Sequence, residues 1–203
     1  MTFVAKSVIN EARRDVNEPD FGWATEKDFV SWLNTALSEI CIHCKPFVLT
    51  EKIVPDEEDG LYYLPSGVIE INDVRLESEH IKHHSKERVN YGEKRIPSYN
   101  IKNIQSDVSI MEFNSGFEEP VLIEYQAVHP QIVSMDDYIF LPAYYKPSLV
   151  SFLVSRYSFK EMNPQLWSAK KQEWIESIMN LKRIEQKKKY PNGSKAINKL
   201  RRR

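Results

Sequence analysis

The sequence has few cysteines and glycines and no long apolar run. With two cysteines in 203 residues, the chain does not fit a small secreted fold held together by disulfides. Its six glycines form none of the patterns that bind dinucleotides or phosphates. No apolar stretch reaches the roughly 20 residues of a membrane-spanning helix, and the chain does not open with a basic segment followed by an apolar one. These absences predict a soluble protein of a reducing compartment, without a signal peptide or a membrane partner.

Charge is distributed unevenly along the chain. Residues 182–203 contain ten lysines and arginines and one glutamate, whereas the formal net charge of the whole chain is −1. This C-terminal stretch therefore carries nine net positive charges, and the rest of the chain carries ten net negative ones. The division predicts that the end of the chain contacts a negatively charged partner, either nucleic acid or an acidic protein surface.

Apolar spacing predicts four helices, two at each end of the chain. They cover residues 2–16, 26–43, 147–162 and 164–189. Thr25 and Asp28 have the spacing of a capping box at the start of the second helix, and Asn163 and Pro164 suit the start of the fourth. Because the joint between the last two helices is very short, we expect them to pack as an antiparallel hairpin.

Residues 47–140 have a different pattern, in which short β-favouring runs alternate with turn clusters and a polar excursion over residues 77–100. No crossover helix separates the runs, which predicts antiparallel pairing. The predicted fold class is α+β and mainly α: a four-helix bundle with an inserted antiparallel β region and an extended basic C-terminal tail. We expect a single domain over residues 1–189 and a tail over residues 190–203.

Two groups of residues have side chains that can bind metals. Cys41 and Cys44 lie near the end of a predicted helix, but a structural zinc site needs four ligands and no second cysteine pair exists. We interpret them as buried free cysteines, and His80, His83 and His84 as solvated residues of a polar loop. A zinc module or a small metal-dependent enzyme built on these cysteines and a histidine is an alternative. With no motif for a nucleophile, we expect no catalytic residue, no cofactor and no bound metal.

The basic tail is the feature that says most about function. Charge runs are often only solvated tails, but Ile197 and Leu200 lie among the cations. This mixture favours docking into a protein groove, because contact with phosphates needs only the charges. The residues expected to dock are Lys195, Ile197, Lys199, Leu200, Arg201, Arg202 and Arg203. Nucleic-acid binding through the same tail is the alternative function.

Trp32 lies off the main apolar stripe of its predicted helix. Aromatic side chains in such positions are common at protein interfaces. Trp32 is therefore either a subunit-interface residue or a partly exposed aromatic that covers the edge of a sheet.

Three segments carry recurring residues in a fixed order. The stretch "WATEKDFVSWLNTALSEICIHCKP" provides Trp23, Thr25, Asp28, Trp32, Leu33, Asn34, Ala36 and Pro46. The stretch "LYYLPSGVIEINDVRL" adds a Leu-Pro step followed by a strand, and "YIFLPAYYKPSLVSFLVSRYSFKE" adds a Leu-Pro, a Tyr, a Leu-Val and an Arg-aromatic step. In this order the segments resemble the portal-adaptor (head-to-tail connector) proteins of tailed bacteriophages.

The resemblance implies a structural virion protein that is not an enzyme. Such adaptors form a homo-oligomeric ring, generally dodecameric, that docks beneath the portal protein and carries the tail or the next ring protein. The ring would assemble in the host cytoplasm and lie at the neck of the virion, with genomic DNA passing through its lumen, without specific binding, during genome ejection. In related adaptors a chain terminus reaches up along the portal, and we transfer this role to residues 190–203. The acidic body then predicts a lumen lined with acidic residues, because like charges keep DNA from sticking.

Overall fold

The computed structural model of the protein describes residues 2–18, 22–76, 79–80, 82–83, 98–105, 108–113 and 119–189. The described chain forms two compact units. A helical unit combines the residues up to Pro46 with those from His129 onward, and a β unit consists of the residues between Phe47 and Val128. In chain order the elements are β1 (Phe3–Val4), α1 (Ala5–Asp15), α2 (Glu26–Cys44), β2 (Val48–Ile53), β3 (Tyr62–Tyr63), β4 (Val68–Leu76), β5 (Glu79–His80), β6 (Lys82–His83), β7 (Ser98–Gln105), β8 (Val108–Phe113), β9 (Val121–Ala127), β10 (Tyr138–Ile139), a 3-10 helix (Ala143–Tyr145), α3 (Lys146–Lys160) and α4 (Pro164–Lys189).

Helix α1 begins at Ala5 rather than at the predicted residue 2. The two residues before it form β1, which pairs antiparallel with β10. The N–H groups of Ala5 and Lys6 donate hydrogen bonds to the carbonyls of Asp137 and Met135 at 2.9 and 2.7 Å. The first N–H groups of a helix have no partner within the helix, and here two of them are paired with these carbonyls. Residues far away in the sequence therefore fix where this helix starts.

Helix α2 begins at the capping box that the sequence predicts. The Thr25 hydroxyl accepts a hydrogen bond from the Asp28 N–H at 3.2 Å, and the Asp28 carboxylate accepts one from the Thr25 N–H at 2.8 Å. The helix ends before Lys45, whose φ of 52° is left-handed, and Pro46 follows. Its buried side consists of Phe29, Leu33, Ala36, Leu37, Ile40, Cys41 and Cys44.

Helices α3 and α4 form the predicted antiparallel hairpin. The rings of Phe152 and Trp174 meet edge to face with their centroids 4.8 Å apart. Nearer the joint, the ring centroids of Phe159 and Trp167 are 5.8 Å apart. The Asn163 side chain accepts a hydrogen bond from a first-turn N–H of α4 at 3.1 Å, which confirms the predicted cap.

The four helices do not form a bundle, so the predicted four-helix bundle with an inserted β region is wrong. Helix α3 is central and packs against α1, α2 and α4, whereas α1 has its main helix contact with α3. The helical unit also contains the sheet of β1 and β10, although β10 was expected to belong to the β region of residues 47–140. The described architecture is α+β, with four α-helices and three sheets.

The central position of α3 follows from its burial on more than one side. Its buried residues are Ser148, Leu149, Val150, Phe152, Leu153, Val154, Ser155, Tyr157 and Ser158. The hydroxyls of Ser155 and Ser158 donate to carbonyls of their own helix at 2.8 and 2.7 Å, so these polar side chains are satisfied without water. A helix that is buried on several sides lies among other elements, not at one corner of a bundle.

The β unit consists of two four-stranded sheets that share one core. Their strand orders are β2-β9-β4-β5 and β3-β8-β7-β6. The pairings described are antiparallel, except for the two-residue pairing of β6 with β7. The core side chains are Ile53, Tyr62, Val74, Tyr99, Met111, Val121, Ile123, Tyr125 and Ala127. Most of the predicted polar excursion over residues 77–100 lies outside the described residues.

Candidate assembly surface

Cys41 and Cys44 are packing residues of the helical unit. Both side chains are buried and free, and the Cys44 thiol donates to the carbonyl of Ile178 on α4 at 3.8 Å. Burial raises the pKa of each thiol to about 11, so both are protonated at neutral pH and are poor nucleophiles. Within the described part of the chain, no three His, Cys, Asp or Glu side chains are placed to hold a metal ion.

Other residues singled out in the sequence lie outside the described residues. These are the side chains of His80 and His83, the whole of His84, and the docking residues Lys195, Ile197, Lys199, Leu200, Arg201, Arg202 and Arg203. The docking of residues 190–203 therefore stays a prediction.

Trp32 is half-buried, on the side of α2 that turns toward α3. Its ring meets that of Phe29 edge to face at 5.3 Å, and the Phe29 ring stacks on Tyr157 of α3 at 6.3 Å. The Asp28 carboxylate binds the Lys160 ammonium at 2.9 Å. Hydrogen bonds, above all the one from Lys160, lower the pKa of Asp28 to about 2. The start of α2 is thus fixed against the end of α3.

The joint between α3 and α4 exposes a group of large apolar side chains, which we call the knob and define as Phe159, Met162 and Trp167. The exposed fraction is 63% for Phe159 and 89% for Met162, and Trp167 is half-buried. The Lys171 ammonium lies 4.9 Å from the centre of the Trp167 ring. Sequence reasoning missed the knob, although a signal was present: apolar residues beside so short a joint have little room to be buried.

The other side of α2 carries an open groove of about 470 Å³. Its lining residues are Glu26, Lys27, Val30, Ser31, Asn34, Thr35, Gln131, Ile132 and Val133. Val133 forms one wall and is 81% exposed. The Asp137 carboxylate accepts hydrogen bonds from the N–H groups of Val133 and Ser134 at 2.7 and 2.9 Å, so the turn that carries this wall is fixed.

The side chain of Asn34 holds the floor of the groove. Its Nδ2 donates to the carbonyl of Ile132 at 2.8 Å, and its Oδ1 accepts from the Ile132 N–H at 2.8 Å. This two-bond clamp joins residues that are 98 positions apart in the sequence. It ties α2 to the segment that precedes β10.

The knob and the groove lie on different sides of α2. Asp28 and Trp32 mark the side of the helix that meets the end of α3. The α2 residues that line the groove are Glu26, Lys27, Val30, Ser31, Asn34 and Thr35, and on average they point about 130° away around the helix axis at 3.6 residues per turn. Helix α2 therefore separates the two surfaces.

The end of α4 is anchored by a cluster of polar side chains. The Glu185 carboxylate accepts hydrogen bonds from the hydroxyls of Tyr144 and Tyr145 at 2.5 and 2.9 Å and from the Lys188 ammonium at 3.0 Å. Burial opposes ionisation of Glu185, but these bonds outweigh it and lower the pKa of its carboxyl. Since α4 ends at Lys189, the basic tail follows an anchored stretch of helix.

The acidic charge of the body is concentrated in the β unit. Residues 47–128 contain sixteen acidic and eight basic side chains, a net charge of −8. Residues 1–46 and 129–189 together contain thirteen acidic and fifteen basic side chains, a net charge of +2. The helical unit without the tail is therefore close to neutral.

Comparison with known proteins gives no family assignment. The chain matches no model of a protein family, and no curated protein matches it. Among the helices described, none is both long and apolar enough to cross a membrane. We therefore infer the function from the surfaces described above and from the residues that carry the resemblance.

Proposed function

We propose that the protein is the subunit of a head-to-tail adaptor ring of a tailed bacteriophage. The homo-oligomeric ring docks beneath the portal protein, extends the DNA channel and provides the platform on which the tail or the next ring protein attaches. Its role is structural and involves no catalysis. The ring lies at the neck of the virion, and in the family that the chain resembles it is generally dodecameric.

The presence of an exposed apolar knob and of a separate open groove on the helical unit is the observation that carries this proposal. A ring is closed by heterologous contacts, in which each copy presents two different surfaces to its neighbours. The knob and the groove are such a pair, because α2 lies between them. Neighbouring exposed apolar side chains such as Phe159 and Met162 of the knob are typical of protein interaction sites.

The residues that carry the resemblance support the proposal through their structural roles. Thr25 and Asp28 cap α2, and Leu33 and Ala36 are buried in its apolar side. Asn34 ties the helix to the segment before β10. These residues thus contribute a helix cap, apolar packing and a tie between distant segments to the helical unit.

The charge distribution suits a protein through which DNA passes. A surface of negative charge repels phosphates, so DNA moves past it without sticking. The net charge of −8 makes the β unit the part of the chain suited to face the channel. The tail, with the opposite charge, is directed away from the DNA and docks into the portal.

Imaging of portal rings mixed with the purified protein tests the proposal. We expect electron microscopy to show an added ring of density beneath the portal. Deletion of residues 190–203 is expected to abolish docking, because the tail supplies the contact with the portal. Portals that gain no ring from the full-length protein would refute the proposed function, whereas docking by the tail-deleted protein would refute only the role of the tail.

Two matched tail variants separate groove docking from simple charge attraction. The first replaces Ile197 and Leu200 with serine and keeps every cation, and we expect it to lose docking. The second keeps the apolar residues and replaces the cations with glutamine, at Lys195, Lys199, Arg201, Arg202 and Arg203. If only the second variant fails, charge alone drives the contact. Binding of free duplex DNA that weakens steeply with salt and is lost on tail deletion would support the alternative, a nucleic-acid-binding protein.

A further inference from the structure

We propose that His129 is an acid-sensitive latch: as a neutral side chain it holds strand β10 in place, and its protonation releases β10 together with the N-terminal strand β1. The inference does not depend on the adaptor role, because it concerns contacts within the helical unit alone. His129 is the first residue of that unit after the β unit, and it is buried. A buried histidine can couple the pH of the solution to the backbone around it.

Two backbone groups determine which ring nitrogen of His129 carries the proton. The N–H of Phe140 lies 3.0 Å from Nε2, and a backbone N–H can only donate, so Nε2 is the acceptor and has no hydrogen. The other ring nitrogen, Nδ1, lies 2.5 Å from the carbonyl oxygen of Pro130. That oxygen can only accept, so Nδ1 carries the hydrogen and donates it. Both contacts are made together only by the neutral ring with its proton on Nδ1.

Protonation of His129 turns its contact with Phe140 from a hydrogen bond into a repulsion. The added proton goes to Nε2, the nitrogen that accepts from the Phe140 N–H, so two donors would face each other. The Phe140 N–H would lose its acceptor, and the ring would carry a positive charge at a buried position, which is unfavourable. The protonated form therefore gives up the tie between His129 and Phe140.

The surroundings of His129 favour its neutral form. On the α2 side the titratable group is the Cys41 thiol, which is neutral because burial raises its pKa, although a hydrogen bond from the His129 backbone opposes the rise. The carboxylates of the segment before β10 have other partners: Asp137 accepts from N–H groups of its own turn, and Asp136 lies 4.0 Å from the Lys6 ammonium. Burial lowers the pKa of His129, and the hydrogen bond to the neighbouring carbonyl opposes this shift.

The sign of the pH dependence follows from this lowered pKa. In the unfolded chain histidine has its usual pKa of about 6.5. The stabilisation by the neutral ring is therefore complete above about pH 6.5, and it is lost as the pH falls from there through the lower pKa of the folded state.

The tie at Phe140 affects the N-terminus of the chain because Phe140 directly follows β10. This strand has only two residues and pairs with the two residues of β1, and such short strands are not stable by themselves. The segment that leads into β10 also supplies the carbonyls of Met135 and Asp137, which accept from the N–H groups of Lys6 and Ala5 at the start of α1. When the tie is lost, we expect β10, β1 and the first turn of α1 to loosen together.

Amide hydrogen exchange of the full-length protein tests the latch. Between about pH 7.5 and pH 5, we expect the protection factors of the Ala5, Lys6 and Phe140 amides to fall roughly tenfold or more, the effect of losing one buried hydrogen bond. The amide of Leu153, a buried residue of the central helix α3, is expected to keep its protection.

Two matched variants identify the histidine responsible. His129→Gln supplies an amide oxygen that can accept from the Phe140 N–H but does not titrate, so we expect it to remove the pH dependence. The control, His43→Gln, changes an exposed histidine of α2 and is expected to retain it. Equal pH dependence in His129→Gln and the wild type would overturn the proposal.

The wild-type protein alone also decides the question, so the test does not depend on the folding of a variant. Loss of protection at Phe140 with no change at Ala5 and Lys6 would overturn the release of β1. An equal loss at Leu153 would show that acid unfolds the helical unit as a whole and would overturn the latch. Nitrogen-15 NMR at neutral pH is expected to find the ring proton of His129 on Nδ1, and a proton on Nε2 would overturn the proposal at its first step.

Discussion

The two-bond clamp between Asn34 and Ile132 makes a prediction whose size follows from its geometry. Asn34→Ala removes both hydrogen bonds of 2.8 Å and leaves the N–H and C=O of a buried residue, Ile132, without their partner. A hydrogen bond contributes about 1 kcal/mol, and a buried group left without one costs about 1–3 kcal/mol. Because water can enter the open groove, the full penalty is not reached, and we expect a loss of about 2–3 kcal/mol.

Thermal unfolding followed by circular dichroism measures this loss. For a chain of this length, each kcal/mol shifts the midpoint by about 2–4 °C, so Asn34→Ala is expected to melt about 4–12 °C below the wild type. The matched control is Thr35→Ala, one residue farther along the same groove. The Thr35 hydroxyl bonds only to the carbonyl of Ser31 in its own helix at 3.1 Å, so its loss is expected to cost less than about 0.5 kcal/mol.

A second substitution at the same position separates the two bonds. Asn34→Asp keeps an acceptor for the Ile132 N–H but places a carboxylate oxygen against the Ile132 carbonyl, where the Nδ2 group donated. The protonated form can donate to that carbonyl, so the introduced carboxyl has a folded-state pKa above its unfolded value of about 3.9. The stability of the Asn34→Asp variant is then retained below the unfolded pKa of about 3.9, and it is lost as the pH rises through the folded pKa.

We therefore expect Asn34→Asp to be close to the wild type near pH 3 and at least as destabilised as Asn34→Ala at pH 7. Comparison with the wild type at each pH cancels the titration of all other groups. Equal melting temperatures for Asn34→Ala and Thr35→Ala would refute the clamp. A stability difference for Asn34→Asp that does not change with pH would refute the assignment of the donor.

Two further predictions concern a glycine of the β unit and the ion pair at the start of α2. A Cβ at Gly67, where φ is +80°, would lie 2.5 Å from the Cγ2 of Val128, whereas Gly60, at φ +69°, has open space around it. In urea denaturation, Gly67→Ala is expected to lose more stability than Gly60→Ala, which meets only the backbone cost of about 1–2 kcal/mol, and equal losses would contradict the predicted clash. The pKa of Asp28 is lowered from 3.8 to about 2, chiefly by Lys160, so its stabilisation is present above pH 3.8 and lost as pH falls toward 2. Asp28→Asn is expected to remove this loss of stability at low pH, which amounts to about 1 kcal/mol because solvent screens the partly exposed ion pair. If stability changes with pH in the variant as steeply as in the wild type, the predicted role of Asp28 is wrong.

Local signals in the sequence predicted local structure well. The Thr25 and Asp28 pair needed only a spacing of three residues to indicate the capping box, and the structure contains it. The short joint before Pro164 predicted the hairpin of α3 and α4 in the same way. In each case the residues that decide the structure are neighbours along the chain.

The arrangement of the helices depended on information that local spacing does not hold. Periodicity shows which side of a helix is apolar, but it does not show which element covers that side. In α3 the buried Ser155 and Ser158 look polar in the sequence, yet their hydroxyls are satisfied within the helix. The apolar residues alone therefore indicate one buried side for this helix, whereas it is buried on several.

The surfaces proposed for assembly were hidden for a related reason. The groove is formed by residues of α2 and of the segment at Gln131 to Val133, which are brought together by the Asn34 clamp across 98 positions. No spacing rule connects such distant residues. Asn34 was singled out only through the resemblance, which gave its identity and not its partner.

The division of charge between the two units links the packing of a ring to the passage of DNA. In the proposed ring, neighbouring helical units approach closely, and charges of one sign on them would repel one another. Without the tail, the helical unit has a net charge of only +2, so this repulsion is small. The β unit carries −8, a charge that repels phosphates and so suits the part proposed to face the channel. When acidic residues of the β unit are replaced by neutral ones, we therefore expect DNA to move more slowly through the proposed ring, while the contact between subunits is not weakened.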